Sequence, residues 1–130
     1  MKNRIIVGLA LLLAALMAAN GLVMLTNPQG WYVRVPGVVA TGAYNQHFIR
    51  DIGLIFLLLA IAFAAGAIRP AQRVALWLGA SLWLTGHALF HFWEVAVGIC
   101  GFDAIPRDFM GVTLPALIGL VLTYFAWRRP

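Results

Sequence analysis

Three ionisable side chains crowd one short stretch of an otherwise apolar chain: His87, His91 and Glu94, within Thr85-Gly86-His87-Ala88-Leu89-Phe90-His91-Phe92-Trp93-Glu94. On a helix, His87 and His91 are four apart and Glu94 follows by three, so all three project from one face. A second group, His47, Arg50 and Asp51, has the same one-face spacing at the start of another apolar segment. Imidazoles and carboxylates converging from two helices are a sensible donor set for zinc or non-haem iron, with His47, Asp51, His87, His91 and Glu94 as ligands. His47 with His87 or His91 would equally suit the axial positions of haem b, with Phe90, Phe92 and Trp93 along its plane. Without any cofactor, a histidine beside a carboxylate suits proton handling or simple helix-to-helix bonding. Arg50 adds a cation for an anionic headgroup or substrate, against the plainer expectation that its side chain snorkels to the interface.

The elements that must position these groups are set by composition. Of 130 residues, 63% are apolar and 10% charged, and the mean hydropathy is strongly positive. A soluble domain of this length needs more polar surface than that, so the chain reads as integral to a membrane. The net charge of +5 sits at the ends of apolar segments and orients them, which sets nucleic-acid binding aside. Cys100 stands alone and forms no internal disulfide. No phosphate-binding loop, nucleophile elbow or zinc-protease helix is present, and whether the chain is an enzyme stays open.

A bilayer core of about 30 Å takes about 20 helical residues to cross. Four segments qualify, at about 5–26, 46–68, 74–98 and 109–127, and predict an all-α antiparallel bundle of four transmembrane helices forming one domain over 1–130. The basic start and small residues of the first segment resemble a signal peptide, but its apolar run continues through Leu22-Val23-Met24-Leu25. Between spans, 27–45 is broken by Asn27-Pro28, Gly30, Pro36-Gly37 and Gly42, and predicts a partly structured cap carrying Trp31, Tyr32 and Tyr44. Arg69-Pro70-Ala71-Gln72-Arg73 is a tight turn, and 99–108 a second outer loop. Pro115 is placed to bend the last span. Trp77, Trp93 and Trp127 read as interfacial anchors, and Gly53, Gly66, Gly79 and Ser81 as small residues that let helices approach.

Lys2, Arg4, Arg69, Arg73, Arg128 and Arg129 fall on one side, and Arg34, Arg50 and Arg107 on the other, which predicts cytoplasmic termini. Counting outward from Ala71 then sets Asp51 level with His91, and His47 level with Glu94. A charge in hydrocarbon costs about 2.5–3.5 kcal/mol, so the two groups are expected to face each other.

The segment Asn45-Gln46-His47-Phe48-Ile49-Arg50-Asp51-Ile52-Gly53, after the Pro36-Gly37 loop, resembles a motif of small bacterial four-span inner-membrane proteins. The resemblance implies the four-helix architecture and the inner membrane. It brings no activity, so it leaves the choice open between a metal or ligand site and an accessory or assembly subunit of a larger membrane complex.

Overall fold

The computed structural model describes residues 2–128 of the chain, with side chains from Arg4 to Arg128. Arg129, counted above for orientation, lies outside the described residues. All regular structure within them is helical: α1 (Lys2–Thr26), α2 (Pro28–Arg34), α3 (Gln46–Ile68), α4 (Arg73–Ala96), α5 (Ala104–Asp108) and α6 (Leu114–Trp127). Single 3₁₀ turns occupy Val38–Ala40 and Pro70–Gln72. Arg4–Thr26, Gln46–Ile68 and Ala104–Trp127 are long and apolar enough to cross a membrane. At 24 residues α4 matches them in length, but it carries His87, His91 and Glu94 and is not one of the three.

Local signals place the helix ends. Asn27 and Asn45 cap α2 and α3, accepting from the Gly30 and Phe48 amides at 3.0 and 3.1 Å. At the other end of α3, Arg73 reaches back across the turn to donate to the Gly66 and Ala67 carbonyls at 2.8 and 3.0 Å, where helix carbonyls run out of partners. The last helix departs from expectation. It starts at Ala104 rather than 109, and Phe109–Thr113 forms a π turn joining α5 to α6. Pro115 explains the widening: it donates no N–H and its ring collides with the carbonyl four residues back, so an extra residue is accommodated just before it.

Small residues decide which helices touch. α1 lies against α3 where a Cβ on Gly21 would stand 2.7 Å from the Gly53 carbonyl oxygen. α4 lies against α6 where Ser81 Oγ and Thr123 Oγ1 are 3.1 Å apart, and a Cβ on Gly119 would stand 2.7 Å from that Ser81 oxygen. α3 meets α4 through Trp77, which is wholly buried and donates to the Phe63 carbonyl at 3.0 Å. Trp77 is therefore a packing residue and not the interfacial anchor expected. Its indole fills the space that Gly66 leaves, while Trp93 and Trp127 remain exposed. Of the small residues expected at contacts, Gly53, Gly66 and Ser81 are there; Gly79 has open space beside it.

The 27–45 segment folds over one end of the molecule. Trp31 Nε1 donates to Asn20 Oδ1 at 2.9 Å and Tyr32 to the Gly42 carbonyl at 2.7 Å, so two of its aromatic residues tie the cap to α1 and to itself.

Candidate functional site

Every fourth residue along one stripe of α4 is aromatic. Trp83, which meets Phe56 of α3 edge-on at 5.6 Å, stacks on His87 with ring centres 5.1 Å apart, and His87 meets His91 edge-on at 4.8 Å. The stripe ends in charge. His91 Nδ1 lies 3.2 Å from Asp108 Oδ2, across the gap between α4 and α5. Asp108 also accepts from Arg107 Nε at 2.7 Å and Nη2 at 3.0 Å, a forked pairing that fixes the carboxylate plane. Asp103 Oδ2 stands 3.6 Å from Arg107 Nη1 at the exposed edge. The π turn begins immediately after Asp108, and the first loop reaches over the group. Gly37 adopts a left-handed φ of 86°, and a Cβ there would collide with the Arg107 guanidinium.

Beside this group lies a small cleft lined by His91, Phe92, Val95, Ala104, Ile105, Asp108 and Thr113, with room for about one water-sized molecule. The side chains of His91 and Asp108 are 28% and 15% exposed, so the pair is sheltered but reachable. The geometry can hold a proton between an imidazole and a carboxylate, with a second imidazole in ring contact behind it and a guanidinium fixing the acid.

Compared with known proteins, the chain matches no family model, no curated protein and no solved structure.

The two sequence clusters do not join. Asp51, expected opposite His91, instead pairs with His47 on its own helix at 3.2 Å, with side chains 55% and 87% exposed. The reason is rotation about α3. Its core-facing residues include Ile49, Gly53 and Phe56, and Asp51, two after Ile49, points about 200° away from it. Arg50 donates from Nε to the Leu25 carbonyl at 3.1 Å and from Nη1 to Gln46 Oε1 at 3.1 Å, capping the end of α1. Glu94 is buried on α4, and its carboxylate makes no hydrogen bond or ion pair among the described residues, so it meets neither His47 nor Arg50.

Of the expected zinc or iron ligands, then, His87 and His91 stay together, His47 and Asp51 form a separate exposed pair, and Glu94 stands apart. Among the described residues no three His, Cys, Asp or Glu are grouped to hold a metal ion. The haem b arrangement asks His47 to face His87 or His91 across a macrocycle, yet its imidazole engages Asp51 instead. Phe90, Phe92 and Trp93 are exposed, Phe90 stacking on Trp93 at 5.6 Å, and do not enclose a plane. Asp108, Arg107 and Trp83 were missed. The available signal was Arg107-Asp108 standing seven or eight residues before Pro115, within one helix once the last span is started at Ala104.

Proposed function

We propose that this chain is a four-span protein of the bacterial inner membrane, its helices an antiparallel bundle with cytoplasmic ends. In this reading it acts as an accessory subunit of a larger membrane complex, and its His87–His91–Asp108 string handles protons in the outer half of the bilayer. The single observation behind the proton-handling reading is the His91–Asp108 contact at 3.2 Å with the His87 ring directly behind it. Ionisable groups within membrane spans are costly enough that a paired, half-sheltered set points to use rather than to packing alone.

Support for a fourth crossing comes from α4's neighbours. Its contacts run from Trp77 on Phe63 to His91 on Asp108, so it lies between two helices that can each cross a membrane. Contact pairs climb one helix while descending the next, as Leu25 with Arg50 and Gly21 with Gly53 do between α1 and α3. Arg69 and Arg73 at the α3–α4 turn support the orientation.

Titration of the purified protein in mild detergent, followed by histidine NMR, tests the reading. Protonation of His91 should shift the signals of His87 and Asp108 together, and Asp108→Asn should uncouple them. Histidines that titrate independently of Asp108 would refute it. Elemental analysis of the same sample decides the metal reading: one equivalent of zinc or iron, lost on His87→Ala or His91→Ala, would replace proton handling by a metal centre.

A further inference from the structure

Thr85 lies on α4 between the two contacts that join this helix to the last one, and its hydroxyl is the exception among the seam's polar groups. Thr123 donates to the Gly119 carbonyl at 2.9 Å and lies 3.1 Å from Ser81, and Thr26 likewise donates to the carbonyl four residues back, Leu22, at 2.7 Å. Thr85 Oγ1 does neither: it is buried and has no hydrogen-bond partner among the described residues. A hydroxyl left so in a membrane interior costs far more than the bond it forgoes, and such groups are met by protein or by bound water.

The facing helix has a break in its hydrogen-bond ladder. Ser81 with Thr123 and His91 with Asp108 bracket Thr85, and the interval between them sets it near Leu117, about half a turn past Pro115. In the π turn the Leu114 amide already donates to the Phe109 carbonyl. Pro115 has no N–H to give, so neither the Met110 nor the Gly111 carbonyl receives a helix bond from it. Thr113, on the same turn, lines the cleft beside His91 and gives a route in from the surface.

We propose that the α4–α6 seam binds a buried water molecule between the Thr85 hydroxyl and the carbonyl that Pro115 leaves without a donor. That water extends a hydrated polar strip from the His91–Asp108 cleft to Ser81 and Thr123. A buried water takes two to four polar partners, and here the hydroxyl and the carbonyl supply two, with the Thr113 hydroxyl on the same turn as a third. The site stands whether or not the histidines move protons.

The test compares Thr85→Val, Thr85→Ser and Pro115→Ala by thermal unfolding in mild detergent, with an experimental structure resolving ordered water as the second measurement. Losing the hydroxyl while the carbonyl stays unpaired should lower the midpoint by about 4 °C, and Thr85→Ser, which keeps the hydroxyl, should restore most of it. Pro115→Ala returns an N–H to the ladder, so in that background the valine penalty should shrink. An unchanged or raised midpoint for Thr85→Val, as expected for deleting an orphan hydroxyl, overturns the proposal. So does a structure in which protein atoms alone satisfy Thr85.

Discussion

Asp108→Asn is the substitution that separates the site from its surroundings, because Asp103 five residues earlier offers the same chemistry with the same arginine and different burial. Asp108 accepts from Arg107 at 2.7 and 3.0 Å and lies 3.2 Å from His91, and its side chain is 15% exposed. Asp103 approaches Arg107 only to 3.6 Å with its side chain 81% exposed. Breaking a fully buried ion pair costs about 3–5 kcal/mol, and an exposed one about 0–1 kcal/mol. Arg107 and His91 keep about a quarter of their side-chain surface, and asparagine keeps one acceptor oxygen, so the Asp108 loss should fall to about 2 kcal/mol. Asp103→Asn should cost about 0.5 kcal/mol or less. Equilibrium unfolding in mild detergent, read by tryptophan fluorescence, measures both. If the two substitutions cost the same, or if Asp103 costs more, the forked Arg107–Asp108–His91 arrangement is not what holds the α4–α5 end together.

Other substitutions probe the parts that position this group. Gly119→Ala should destabilise by about 1–3 kcal/mol, because the added methyl meets the Ser81 hydroxyl at 2.7 Å; in a Ser81→Ala background the remaining contacts, at 3.3 Å and beyond, should leave well under half of that loss. Strict additivity of the two would show that the close approach does not set the seam. Gly37→Val should cost about 1–3 kcal/mol through its left-handed φ of 86° and its collision with Arg107, and circular dichroism should show the long helices unchanged. His47→Ala and Asp51→Ala should leave the unfolding midpoint unmoved, since that pair is exposed and bonded only to itself; a clear loss would give the start of α3 a role its contacts do not supply.

Much of the helical framework can be read without coordinates. The end of the 27–45 loop and the Arg69-Pro70 stop bracket α3 at the bounds the hydropathy pattern indicates, Gln46–Ile68, and the Lys2/Arg4 start with the Asn27-Pro28 break brackets α1. Hydropathy depends on residue type alone, and a run of about 20 apolar residues has few ways to satisfy its backbone other than as a helix. The start of the last helix was not legible, because Asp103, Arg107 and Asp108 look like loop residues until their partners are known. Arg107 and Asp108 neutralise each other, and that allows both onto the helix.

The site shows the same division. Four-residue spacing on α4 was enough to keep His87 and His91 together, since neighbours on one helix face are set by the 3.6-residue turn. Which carboxylate they meet was not. Counting residues from the turn put Asp51 level with His91, while the Phe56–Trp83 and Phe63–Trp77 contacts set Asp51 opposite about Ala88. Facing depends on the angle at which each helix is rotated, and that angle is fixed by what packs: Ile49, Gly53 and Phe56 turn α3 inward and carry Asp51 outward, while the Ser81–Gly119 contact turns α4 so that His91 looks toward α5. The chain's own order therefore determined which groups are scarce and which share a helix face, and only the packing of small residues against large ones decided that His91 should find Asp108.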